Sequence, residues 1–295
     1  MKTDRIINEV ESFRHYLEEK KFSEEGTKSY CCSMKTYLLR NPDMIRYNYK
    51  EVMKSLEPYS SLSISARKTI LNRIKKYYDY LLDTGQREDH PCCGLFLKGN
   101  IDRSVIHSDL FSMAELETLL IWKSRFRVLE QKNRAIISLL IYQGLTAQDF
   151  IRLKIQDVDI DKGVISIRGG DLLAGRKLEI KPSQFNILYT YINESRKKLL
   201  KCETDYFGIG LTGQPDKKDN IRTLVENLRP LFPDRNLNPM SIRDSVISHW
   251  INDLKIPLEQ VQLMAGHRWI ISTERYFQQS IEDQREILKK FHPFG

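Results

Sequence analysis

The sequence predicts a mainly α-helical protein with a small antiparallel β-sheet, arranged as two domains, and three observations lead there. Apolar residues recur at helical spacing from Ile6, Val10, Phe13, Tyr16 and Leu17 onward. Strict alternation is confined to the residues around Lys162-Gly163 and the strand that follows. The periodicity breaks at Asp83-Thr84-Gly85, His90-Pro91 and Gly94, so residues 96–108 read as a linker between domains spanning 1–105 and 106–295.

In the first region, Ser23-Glu24-Glu25 heads a second helix through Tyr30, Met34, Tyr37 and Leu38, and Asn41-Pro42 ends it. A third helix begins near Ser63 with Ile70, Ile74, Tyr77, Tyr78 and Leu81 on its apolar face. Lys68, Asn72 and Lys75 recur on another face. Such a face is most often merely solvated; in a protein that grips a polyanion it becomes a candidate phosphate-contacting face.

The second region opens with Ser112 as a cap, followed by an apolar helix to Trp122. Residues Asn133 to Tyr142 are apolar on most sides and stop at Gly144, which predicts a buried helix. A short helix carries Asp149, Phe150, Ile151 and Leu153. Residues 158–167 then alternate around the Lys162-Gly163 turn, and Arg176 to Ile180 add a strand. Helices resume after Pro182-Ser183, and Arg243 stands ahead of a helical run ending at Leu254. The glycines at 169, 170 and 175 are hairpin chemistry, with no nucleotide-binding fingerprint.

The 295 residues allow two cores, and no apolar run approaches the roughly 20 residues of a membrane span, so a soluble chain without membrane partners is expected. A net charge of +8 and a pI near 9.1 suit a polyanion, because each phosphate neutralised by Lys or Arg releases counterions. Met1-Lys2-Thr3-Asp4 does not resemble a secretory leader, which points to the cytoplasm. Cys31, Cys32, Cys92, Cys93 and Cys202 form neither C-x-x-C spacing nor an even count, so reduced thiols are expected.

The most informative stretch is near the C-terminus: Gly266-His267-Arg268-Trp269, then Ser272-Thr273-Glu274-Arg275-Tyr276, with Arg243 upstream in Ser241-Ile242-Arg243-Asp244-Ser245. Each residue alone has a plainer reading, as a surface ion-pair member or a core tyrosine. Their order and spacing resemble the C-terminal signature of the tyrosine recombinases, the phage integrase family, in which Arg, a residue often His, and Tyr stand at this spacing. The N-terminal block, including its Ser–Thr–Tyr segment from Ser23 to Tyr30, resembles the family's small helical core-binding domain, and residues 106–295 its α+β catalytic domain. The resemblance implies double-stranded DNA as substrate. Arg243 would clamp the non-bridging oxygens of the scissile phosphate, His267 would donate a hydrogen bond to it, and Tyr276 would attack phosphorus to give a 3′-phosphotyrosyl link. It also implies no cofactor and no metal, because protein cations stabilise the phosphorane. His249 matches a position taken as structural.

Two departures stand out. The family's first arginine lies in Thr-Gly-Leu-Arg, whereas this chain reads Gln143-Gly144-Leu145-Thr146 with the acidic partner kept as Asp149. The His of His-x-x-Arg is Met240, whose thioether neither gives nor takes a proton. The family's hairpin lysine has no clean counterpart among Arg168, Arg176 and Lys177. Lys177 is the expected acid, because a lysine pKa can be tuned, and Arg168 the expected stand-in for the missing arginine.

Three functions are then open: an active integrase or transposase of a mobile element, a DNA-binding regulator or accessory factor that lost cleavage, and a topoisomerase, which the N-terminal arm argues against. After Tyr276, the residues Phe277, Ile281, Ile287, Leu288 and Phe291 predict an amphipathic tail helix. It would pack on its own domain or, as the resemblance implies, dock on a neighbouring protomer in a tetrameric assembly on DNA.

Overall fold

The computed structural model describes residues 2–99, 105–123 and 129–278; the expected tail helix beyond Gln278 lies outside the described residues. The chain divides into two compact units, residues 1–102 and 103–295.

The first unit contains α1 (Lys2–Glu19), α2 (Glu24–Arg40), α3 (Tyr49–Ser55) and α4 (Ile64–Asp83). Ser23 and Ser63 cap α2 and α4, their hydroxyls accepting from the backbone N–H of Gly26 and Ala66. Helix α3 is absent from the sequence expectation because seven residues are too few for periodicity to show. Its local signal is the reciprocal cap between Asn48 and Glu51. The core joins Phe13 and Leu17 of α1 to Met34 and Tyr37 of α2 and to Ile74, Tyr77 and Leu81 of α4. The buried phenols keep partners: Tyr78 donates to the carbonyl of Met44 at 2.7 Å and Tyr77 donates to Glu9.

The second unit opens with α5 (Met113–Thr118), which ends earlier than the expected Trp122, and α6 (Glu130–Gln143). As its all-round apolar character predicts, α6 is buried nearly throughout, and it stops at Gly144, whose φ of 57° only glycine adopts at little strain. Helix α7 (Ala147–Arg152) follows at once. Its cap is Thr146, whose hydroxyl accepts from the N–H of Asp149 while the Asp149 carboxylate accepts from the N–H of Thr146. Thr146, the residue expected at the arginine's place, therefore starts a helix.

Strands β1 (Val158–Asp159), β2 (Val164–Ile167) and β3 (Arg176–Glu179) form an antiparallel sheet in that order. Gly163, at φ 67°, supplies the first turn. Ile165 and Ile167 pair with Leu178 and Arg176, and these four residues are buried. Helix α8 (Phe185–Thr190) runs through a wider turn at Tyr191–Ser195 into α9 (Arg196–Leu199), and α10 (Lys218–Glu226) precedes α11 (Pro239–Asn252). Arg243 sits within α11 rather than ahead of it. Asn238 accepts from the N–H groups of Met240 and Ser241, and Pro239 at the first helical position starts the helix four residues upstream of Arg243. Helices α12 (Leu258–Ala265) and α13 (Ile271–Glu274) follow, the last among the described residues. Among the described residues, no helix is long and apolar enough to cross a membrane.

One buried ion pair lies away from the C-terminal signature: Lys132 of α6 donates to both oxygens of Asp216 at 3.1 Å, with side chains only 7% and 1% exposed. Removing one member strands the other in a low-dielectric interior, which costs about 3–5 kcal/mol. Lys132→Met should lower the unfolding free energy by that amount in urea titration, and a loss below about 1 kcal/mol would mean that the carboxylate has regained water or another partner.

Candidate active site

Helices α6 and α12 both end in a left-handed glycine, Gly144 and Gly266. Such ends leave carbonyl oxygens without helical donors and carry partial negative charge. The guanidinium of Arg243, 2% exposed, fills the space between them, with Nη1 donating to the Gly144 carbonyl at 2.5 Å and Nη2 to the Ala265 carbonyl at 2.6 Å. A guanidinium carries more donors than these carbonyls use. Burial, and then the charge of Arg176, push its pKa down to about 10 against the opposing pull of Asp149, so it stays cationic at neutral pH. Gly266 is needed for space as well as for its φ of 71°: a Cβ there would come within 2.9 Å of both the Ala174 carbonyl and Nη1 of Arg176.

Opposite Arg243 lies Arg176, the first residue of β3. Its Nη2 donates to Oδ2 of Asp149 at 2.9 Å, while Nε and Nη1 are buried without a hydrogen-bond partner among the described residues. Burial raises the Asp149 carboxyl, yet the charge and hydrogen bond of Arg176, with the N–H of Thr146, outweigh it and hold the pKa below the usual value.

The two hairpin residues expected here are not brought in. Strand alternation sends Arg176 and Leu178 inward and Lys177 outward, where it is exposed. Arg168, just past the inward Ile167, is half-exposed and donates to Asp157 at 3.0 Å. The hairpin tip instead docks through backbone: Ala174 donates to the carbonyl of Gly266 at 2.8 Å, and Leu173 bridges His267.

His267 shares a hydrogen bond between Nδ1 and the hydroxyl of buried Thr273 at 2.9 Å, and its ring stacks on that of Tyr276 with centroids 6.1 Å apart. Burial, then the charges of Arg243, Arg275 and Arg176, lower its pKa to about 4. It is a neutral imidazole at pH 7. The Tyr276 side chain is buried, and its hydroxyl donates to Oδ1 of Asp244 at 2.6 Å and accepts from Nη2 of Arg275 at 3.0 Å. Burial, then the charge and hydrogen bond of Asp244, raise its pKa to about 12. Asn252, at the end of α11, donates to the Tyr276 carbonyl at 2.8 Å and accepts from the N–H of Gln278. His249 pairs with Asp253 one turn along the chain and takes no part in the cluster.

Arg243, His267, Tyr276 and Asp149 thus gather with Arg176, Asp244, Arg275 and Asn252, the last four missed as site residues at the level of sequence. Arg176 did carry a signal, since it shares strand parity with Leu178 and Ile180. In the first unit, Lys68 donates to the carbonyl of Gly99 at 2.7 Å and Lys75 to that of Cys93 at 2.8 Å, so both ammonium groups are engaged by the chain's own 93–99 segment; Asn72 is exposed. Among the described residues, no group of three or more His, Cys, Asp or Glu could hold a metal ion.

The lowered pKa of His267 has a definite sign. Between its folded value near 4 and the ordinary 6.5, the unfolded chain binds the proton that the folded chain refuses, so this contribution is full above about pH 6.5 and is lost as pH falls toward 4. His267→Asn should flatten the acid limb of the stability profile by on the order of 2 kcal/mol. An unchanged limb in urea titrations at pH 4.5 and 7 would mean that the imidazole charges freely in place.

A sequence model of the phage integrase family matches residues 112–282. Among curated relatives, the tyrosine recombinase XerD of Staphylococcus haemolyticus is 30% identical over 168 residues; the match spans about half of each protein, 55% of both. The tyrosine recombinase XerC of Oceanobacillus iheyensis is 25% identical over 299 residues, covering 96% of this chain and 95% of its own. Among solved structures, XerH site-specific recombinase bound to its difH substrate aligns with a TM-score of 0.69 at 18% identity, over 89% of this chain and 78% of that one. The Tn1549 transposon integrase in complex with a circular intermediate DNA aligns with a TM-score of 0.68 at 14% identity, over 96% and 99%. At those identities the structures speak for the fold. With the family model matching more than half of the sequence and the helical fold with its small sheet agreeing, the chain belongs to the phage integrase family of tyrosine recombinases.

Proposed function

We propose that the chain is a site-specific DNA recombinase of a mobile element, cleaving and rejoining DNA strands through a 3′-phosphotyrosyl intermediate, with the first clamping arginine supplied by Arg176. The observation that carries this is the state of that side chain: a buried guanidinium held by Asp149 with Nε and Nη1 unpartnered. Buried donors without acceptors are costly, and a phosphate oxygen supplies what they lack. In this reading Arg176 and Arg243 hold the non-bridging oxygens, and neutral His267 donates a further hydrogen bond. Tyr276 attacks in line, displacing the 5′ oxygen. Arg168 and Lys177 have no part in the clamp. The unit formed by residues 1–102 would grip the flanking duplex, with Asn72 as a backbone contact and Lys68 and Lys75 needing release from their carbonyl partners to join it. Protomers would assemble as a tetramer on two DNA sites. The setting is the cytoplasm.

The exposed Met240 and the buried Tyr276 favour the second reading, a DNA-binding regulator or accessory factor that keeps the clamp without cleavage.

The protein should first select its own binding site from random duplexes. A nicked version of that site, incubated and then denatured, should yield a covalent protein–DNA band. Tyr276→Phe should abolish the band while changing duplex affinity by no more than about twofold, since one phenolic oxygen adds little to a phosphate footprint. Arg176→Ala should slow adduct formation on the order of 10²–10³-fold, and Arg168→Ala by less than about threefold. Binding without any band would establish the regulator instead; the reverse order of the two arginine variants would return the clamp to Arg168.

A further inference from the structure

Met240 leaves the cluster without the side chain that the family motif places one turn before its arginine, and the nucleophile still has a proton to lose. The hydroxyl of Tyr276 points that proton at Oδ1 of Asp244, 2.6 Å away, and receives a hydrogen bond from Nη2 of Arg275 at 3.0 Å. Asp244 lies four residues after Met240 on α11, so the two occupy the same helix face one turn apart. From the geometry we propose that Asp244 is the base that takes the phenolic proton of Tyr276, a displaced replacement for the missing histidine. The proposal rests on the cleavage reading above.

The surroundings fit a proton acceptor followed by a charge stabiliser. Of the two side chains hydrogen-bonded to the phenolic oxygen among the described residues, the Asp244 carboxylate can take a proton, and Arg275 is a cation placed to hold the phenolate that results. His267 stacks on the ring but does not contact the hydroxyl through any hydrogen bond, and with Arg243, Arg176 and Arg275 around it the imidazole resists a second proton. It suits the donor role instead. In the step itself, the proton passes from Oη of Tyr276 to Oδ1 of Asp244 as the Oη–P bond forms and the bond from phosphorus to the 5′ oxygen breaks. The 5′ oxygen takes a proton from water and leaves as a hydroxyl, and Asp244 returns its proton to solvent. Rejoining runs the same path backward, with protonated Asp244 restoring the phenol.

The deciding measurement is single-turnover adduct formation on the nicked duplex from pH 6 to 9, for wild type, Asp244→Asn and Asp244→Glu, with duplex binding followed in parallel. The expected result for Asp244→Asn is binding like wild type and a rate at pH 7 lower on the order of 10²-fold, rising nearly tenfold per pH unit as hydroxide takes over the proton. Wild type should be nearly flat over that range, and Asp244→Glu should be slower than wild type but equally flat. A merely structural carboxylate would not change the slope. The proposal is overturned if Asp244→Asn keeps the wild-type rate and profile, or if it is faster, which would make Asp244 a latch on the nucleophile. Should Asp244→Asn fail to bind duplex, the Glu variant decides alone: a flat profile supports the base, and a steep one removes it. An absence of adduct with wild type itself at every pH would overturn the cleavage reading and this assignment with it, whereas a normal wild-type adduct with an indifferent Asn variant would overturn this assignment only.

Discussion

The second unit is organised around one constraint: a permanently charged guanidinium, Arg243, held in the interior between the carbonyl ends of two helices. A buried cation is tolerated only where oxygen dipoles and counter-charge surround it, and here α6 and α12 deliver both dipoles by stopping in left-handed glycines. A second cation, Arg176, is then admitted only because Asp149 balances it. Asp149 in turn is fixed by the cap it makes with Thr146 at the start of α7. Thr146 therefore leaves Asp149 anchored, while the cation that pairs with Asp149 arrives from the sheet.

Much of the fold was legible because its signals are local. Serine caps at 23, 63 and 112 begin helices as their sequence context indicates, and Gly144 and Gly163 end or turn elements as expected. Helix α3 is too short for its periodicity to show, and α11 starts earlier than the run after Arg243 suggests because Asn238-Pro239 opens it. In the candidate site, Arg243, His267 and Tyr276 come from the resemblance that their order and spacing carry. Arg176 and Asp244 were not legible, because what distinguishes them is a long-range contact: 27 positions separate Arg176 from Asp149 and 32 separate Tyr276 from Asp244. Which of Arg168 and Arg176 faces the interior was nonetheless within reach. Counting residues along β3 puts Arg176 on the side of Leu178, and counting along β2 puts Arg168 opposite Ile167.

The basic face of α4 teaches a different lesson about reading charge from a sequence. Lys68 and Lys75 do recur on one side of the helix, but their ammonium groups satisfy carbonyls of the segment that follows, and Lys75 also lies 4.4 Å over the ring of Phe96. Periodicity reports which way a stem departs from the backbone. It does not report where a flexible four-carbon chain ends, and lysine can cover apolar surface and reach a carbonyl at once.

Helix α11 presents Arg243 and Asp244 near its start, and Asn252 at its end ties both sides of the peptide around Tyr276. Arg243 and the Tyr276 peptide are therefore referenced to a single rigid rod. Inserting one residue between Arg243 and Asn252 would turn the tether by about 100° and advance it about 1.5 Å, uncoupling the two ends at a stroke. Added residues between Asn252 and Pro257, where the chain has already left the helix, would be absorbed as slack. Natural length variation should thus be written into the loops flanking α11 and erased from its interior, whatever the side chains along it become.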